Sequence, residues 1–260
     1  MKLFHVIFLS AACLLISEGS DLRIINGHEA EANSRPYMAY IKIQNRTHET
    51  ICGGTLITED WVLTAAHCTM LKGRATVILG AHLSGLYARE RGRQILSVMQ
   101  YVTYPKYNNK TYNNDIQLMK LSRTAKLGQK VKRFPIPTTF EDVDEGTVCE
   151  TAGWGETEKK EDAKRLMEIY VSTITRKECQ IRFKNEQTPD LEITENQICT
   201  SVGPGGEDTC VGDSGGPLIC DGVFRGILSF GMNPCGQHNR AAAYTRLTEE
   251  YVDWIQEIIA

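Results

Sequence analysis

The chain has no net positive charge, no CxxC pair, no HExxH motif and only one long apolar run. Each absence excludes something. With 29 basic against 32 acidic residues and a net charge of −3, no broad basic field is expected, so neither nucleic acid nor an anionic membrane is an expected partner. Without CxxC or HExxH the familiar zinc arrangements have no ligands, and no metal or other cofactor is expected. The single long apolar run, Leu3 to Ile16, follows Lys2 and is interrupted by His5 and Ser10. It is too short to span a bilayer, and the small residues Ser17, Gly19 and Ser20 come after it. It reads as a secretory signal peptide, residues 1–20.

What is present follows from that compartment. Nine cysteines occur, and Cys13 leaves with the signal. Cys52, Cys68, Cys149, Cys179, Cys199, Cys210, Cys220 and Cys235 remain, an even set suited to four disulfides outside the cytosol. Spacing alone leaves about 105 pairings open. The sequons at Asn45 and Asn109 are expected glycosylation sites.

Short apolar or alternating runs punctuated by turn residues fill the mature chain. Tyr37 to Ile43, Thr55 to Ile57, Trp61 to Thr64, Ala75 to Leu79, Ile95 to Val102 and Ile116 to Leu121 read as one set of strands. Thr147 to Ala152, Glu168 to Ile174, Pro217 to Cys220, Phe224 to Phe230 and Ala242 to Arg246 read as a second. An all-β barrel or sandwich in two halves, split near residues 127–145, is the expectation. In LTEEYVDWIQEIIA, Leu247, Tyr251, Trp254, Ile255 and Ile258 share one face of a terminal helix that Thr248 can cap. Tyr104 to Asn114 and Gly155 to Lys164 read as surface loops.

Three short stretches carry chemistry. EDTCVGDSGGP places Ser214 on a glycine-rich turn that exposes its hydroxyl. A serine hydroxyl needs a base to take its proton, and LTAAHC supplies His67. A base needs an orienting acid, and DIQLMKL begins with Asp115 where a buried strand starts. Any one of these has an ordinary structural explanation, but the three together do not.

LTAAHC, DIQLMKL and GDSGGP, in that order, resemble the chymotrypsin- and trypsin-like serine peptidases, and IINGHEA, CGGTLI, TAGWG and the final YVDWI fit as well. The resemblance covers residues 24 to 260. It implies two six-stranded antiparallel β-barrels, a C-terminal helix and an active site in the cleft between the barrels. It implies the disulfides Cys52–Cys68, Cys149–Cys220, Cys179–Cys199 and Cys210–Cys235. It gives Ser214 the role of nucleophile, His67 that of base and then acid, and Asp115 that of orienter, with the N–H groups of Gly212 and Ser214 forming the oxyanion hole.

The two aspartates upstream of Ser214 also gain roles by resemblance. Cleavage after Arg23 would free an α-amino group at Ile24 to pair with Asp213, so residues 21–23 read as a short activation propeptide. Asp208 would lie at the base of the primary pocket and select Arg or Lys before the scissile bond. Thr209 would add a hydroxyl there, and Ser229, Phe230 and Gly231 would pair with the substrate backbone and form a wall. Ala242 departs from the glycine usual on the opposite wall and is expected to crowd a long cation. Glu207 receives no role. LGAH has Ala81 where a calcium loop would begin with glutamate, again arguing against a metal.

SRPYMAYIKI and GVFRGILSFG resemble granzymes and mast-cell proteases, and Asp208 with a Cys210–Cys235 bridge resembles the granzyme A and K type. The expected protein is a monomeric serine endopeptidase, secreted or stored in granules, acting on protein substrates and checked by serpin-type inhibitors. The acid net charge departs from stored granule proteases. A protease like complement factor D is one alternative, and a protease-fold binding protein with impaired catalysis is another.

Overall fold

The structure is a computed structural model of the whole chain and describes residues 27–69, 73–86, 88–157, 159–184 and 191–260. The expected signal peptide and propeptide, and Ile24, lie outside the described residues.

Six strands form the first barrel: β2 (Met38–Gln44), β3 (Glu49–Leu56), β4 (Trp61–Thr64), β5 (Arg74–Leu79), β6 (Gln94–Thr103) and β7 (Gln117–Leu121). They close in the order β2-β3-β4-β7-β6-β5, every neighbour antiparallel. The second barrel comprises β8 (Val148–Gly153), β9 (Met167–Ile174), β10 (Gln197–Ser201), β11 (Pro217–Cys220), β12 (Val223–Gly231) and β13 (Ala241–Arg246). It runs β9-β10-β13-β12-β11-β8 and closes by the β8–β9 pairing. A two-residue strand, β1 (His28–Glu29), is added outside it on β9. Closure leaves no exposed sheet edge and turns alternate side chains inward. Ile41, Ile43, Leu63, Val77 and Leu79 are fully buried in the first barrel.

Two helices complete the fold. Helix α1 (Arg176–Lys184) is mostly charged and buries only Cys179 and Phe183, which is why no apolar stripe announces it in sequence. Helix α2 (Glu249–Ile259) is capped by Thr248, whose hydroxyl accepts from the Tyr251 N–H. Leu247, Tyr251 and Ile255 pack into the core of the first barrel, although they follow the last strand of the second. Burying Tyr251 and Ile255 contributes about 2 kcal/mol each. The four bridges join Cys52–Cys68, Cys149–Cys220, Cys179–Cys199 and Cys210–Cys235. No helix among the described residues is long and apolar enough to cross a membrane.

Candidate active site

Asp115 stands two residues before β7 and is fully buried. Its carboxylate accepts from the His67 N–H at 2.9 Å and lies 2.7 Å from His67 Nδ1. The Ser229 hydroxyl, on β12, donates to the same carboxylate at 2.5 Å, and the Thr245 hydroxyl, on β13, donates to the Asp115 carbonyl at 3.0 Å. An acid from the first barrel is thus gripped by two strands of the second. A buried charge requires such compensation, and three donors to one carboxylate satisfy most of its acceptor capacity.

His67 sits on a short 3₁₀ turn, Ala66–Thr69, that the Cys52–Cys68 bridge ties to β3. With its Nδ1 side facing Asp115, the other ring nitrogen faces away from it. Tyr112 meets the ring edge-on, with centroids 5.7 Å apart.

The turn carrying Ser214 is held by backbone contacts to both barrels. The Gly53 N–H donates to the Ser214 carbonyl at 2.8 Å, and the Gly215 N–H donates to the Leu228 carbonyl at 2.7 Å. Gly215 has φ +83°, and a β-carbon there would collide with the Gly53 carbonyl, so the residue must be glycine. Gly212 has φ +97°. The Val211 carbonyl accepts from the Glu156 N–H at 2.7 Å. In a trans peptide C=O and N–H point in opposite directions, so the Gly212 N–H is turned away from that loop.

His67 and Ser214 line one cavity of about 190 Å³, together with Tyr112, Thr209, Ser229, Phe230 and Gly231 among others. Asp208 and Ala242 do not line it. Asp208 is 6% exposed and accepts from the Gly236 N–H at 2.8 Å; burial pushes its carboxyl up to about 6. Ala242 pairs with Gly231 across β12 and β13, and a β-carbon placed on Gly231 would lie 3.9 Å from the Ala242 methyl. The methyl therefore stands beside the wall at ordinary contact distance. Asp213 is buried, accepts from the Gly155 and Cys210 N–H groups at 2.7 and 2.9 Å, and is pushed up by burial to about 7.

Some contributors were not legible in the sequence. Tyr112 falls in a stretch read as surface loop, yet it packs on both His67 and Phe230. An aromatic three residues before Asp115 was the available signal. Gly155 and Glu156, also assigned to a solvated loop, hold Asp213 and Val211. Glu207, without a role from sequence, accepts from the Gly205 N–H of its own turn at 2.8 Å. Asn45 also shapes its own turn, while Asn109 is exposed. The described residues group Cys52, His67 and Cys68 closely enough for a metal, but the two sulfurs are bonded to each other and offer no thiolate.

Comparison with known proteins agrees with this geometry. A trypsin-family profile, described as "Trypsin", matches residues 24–255. Granzyme A of Bos taurus is 39% identical over 99% of this chain and 97% of its own. Mast cell protease 3 of Ovis aries is 38% identical over 96% and 95%, and trypsin of Sus scrofa 35% over 92% and 97%. The chain belongs to the trypsin family and is a serine endopeptidase, a hydrolase of protein substrates.

Proposed function

We propose that this endopeptidase cleaves after Arg or Lys by a Ser214–His67–Asp115 triad and is activated by cleavage after Arg23. Ser214 attacks the scissile carbonyl as His67 takes its proton. His67 then gives that proton to the leaving amine, while Asp115 holds the ring and stabilises its charged form. The Gly212 and Ser214 N–H groups receive the developing oxyanion. The Asp115–His67 contact at 2.7 Å, opening on the cavity that Ser214 lines, supports this reading.

Specificity rests on one observation: Asp208 is buried, and no cation is among the groups acting on it. A substrate guanidinium or ammonium would complete it. A second reading has its own support, because Asp208 lies outside the cavity lining and Phe230, Leu228 and Val211 lie within it. On that reading the pocket takes an apolar side chain. Asp213 is buried on N–H donors alone, and in the uncleaved chain Ile24 has no free amine to offer it. Cleavage would supply the amine. All eight cysteines outside the signal pair within the chain, which supports a monomer. The likeness to granzyme A supports a secreted or granule-stored immune protease under serpin-type control.

The test is a peptide panel differing only before the scissile bond, with Arg, Lys, Phe, Leu or Ala, cleaved by protein beginning at Ile24. Arg or Lys should lead by about 100-fold or more, since a buried unpaired carboxylate penalises apolar residues. A lead for Phe or Leu establishes the second reading. Ser214→Ala should lower kcat by about 10⁴-fold or more with the fold intact. Activity that survives this substitution refutes the triad.

A further inference from the structure

The chain is acidic overall, yet its charge is unevenly placed. Segments 88–94 (ARERGRQ) and 123–133 (RTAKLGQKVKR) hold eight of its 29 basic residues and one of its 32 acidic ones, Glu90. The fold brings these segments together along β6. Lys130 Nζ donates to the Arg91 carbonyl at 2.7 Å, and Gln94 bonds the backbone of Lys126 in both directions. Arg123 donates to the Ile95 carbonyl.

The nearby carboxylates offset only part of this charge, Glu90 facing Arg93 and Glu59 facing Arg133. Glu90 is turned inward, accepting from the His82 and Leu83 N–H groups. Glu59 lies 3.4 Å from Arg133. Arg89, Arg91, Arg123, Lys126 and Lys132 are exposed. Between them the outward face of β6 presents Ile95 and Met99, 47% and 65% exposed, with Leu127 beside it at 43%. Large apolar side chains grouped among cations mark an interaction surface more than a solvated face.

We propose that this face is an exosite for an acidic protein segment that also carries apolar side chains. Charge complementarity sets the sign of the partner, and the apolar residues select its class. A sulfated polysaccharide would engage the cations and leave Ile95, Met99 and Leu127 without a counterpart. Anionic lipid and nucleic acid also fit the sign, but four disulfides place the folded chain outside the cytosol, away from the anionic leaflet. The exosite would capture substrates or regulators through a segment remote from the scissile bond and raise their effective concentration at the cleft.

The test measures anisotropy of a fluorescein-labelled peptide alternating Glu with Phe and Leu, titrated with the purified protein. Binding should weaken with added salt. Arg89→Ala/Arg91→Ala/Lys126→Ala should weaken it about 10-fold or more. Ile95→Ser/Met99→Ser/Leu127→Ser should weaken it about 10-fold at constant salt. Both variants should retain the parent circular dichroism and cleavage of a short peptide substrate. The proposal is overturned if the apolar variant binds like the parent, if heparin oligosaccharide or phosphatidylserine vesicles bind tighter than the peptide, or if the peptide does not bind. Because anisotropy reads binding alone, an error in the assigned cleavage specificity would leave this result unchanged.

Discussion

Asp208 should tie substrate preference to pH and to stability at once. Burial raises its carboxyl from 3.8 to about 6, and the substrate cation requires the ionised form. At pH 5 only about a tenth of the cation-free protein carries that charge. The ratio of kcat/KM for an Arg peptide to that for a Leu peptide should therefore fall about 10-fold from its plateau between pH 7 and pH 5. Taking the ratio removes every ionisation common to both substrates, including that of the catalytic base. The stability consequence has the opposite sense. A carboxyl raised on folding favours the fold below its unfolded value near 3.8, and that contribution is lost as pH rises through about 6. The rise corresponds to about 3 kcal/mol at neutral pH. Asp208→Asn should thus raise the unfolding free energy read from urea melts at pH 7.5 by up to that amount and abolish the preference for Arg. A guanidinium ligand should stabilise the parent and not the variant. A pH-independent ratio, or a variant that is less stable and still prefers Arg, would refute the reasoning.

Three further outcomes are expected. Ser229→Ala removes the 2.5 Å bond to the Asp115 carboxylate, a charge-assisted contact worth about 1.5–3 kcal/mol; kcat should fall about 10-fold or more with KM little changed, in steady-state assays of a short peptide. Ala242→Gly clears the methyl beside Gly231 and should favour the bulkier Arg over Lys, at about 0.5–1 kcal/mol of stability, and an unchanged Arg-to-Lys ratio would show that the methyl does not restrict the pocket. Arg93→Met deletes a nearly buried guanidinium that donates to the Gly85 and Ala88 carbonyls and lies 4.0 Å from Glu90; urea unfolding should report a loss of about 3 kcal/mol.

The strands that were legible in sequence are those whose burial alternates or is complete, such as Trp61–Thr64 and Pro217–Cys220, both with the same bounds in the fold. β10 was not read, because QICTS is short and its threonine and serine resemble turn chemistry until β9 and β13 cover it on both sides. β1 has only two residues, so no period exists to detect. Ser214, His67 and Asp115 were legible as candidates because each sits in a motif. Tyr112, Gly155 and Glu156 act by where the fold carries them, which no local pattern encodes. Ser229 lines the cavity that His67 and Ser214 share, but its bond to Asp115 spans 114 residues and becomes visible only in three dimensions.

The helix that ends the chain fills the flank of the barrel that begins it. During synthesis, then, the first barrel lacks Leu247, Tyr251 and Ile255 until the whole second barrel has been made. Asp115 likewise waits for Ser229 and Thr245. A chain cut before β12 has an incomplete first core and leaves Asp115 without Ser229 and Thr245. The first barrel therefore finishes neither its core nor its hold on Asp115 until the second barrel has been made.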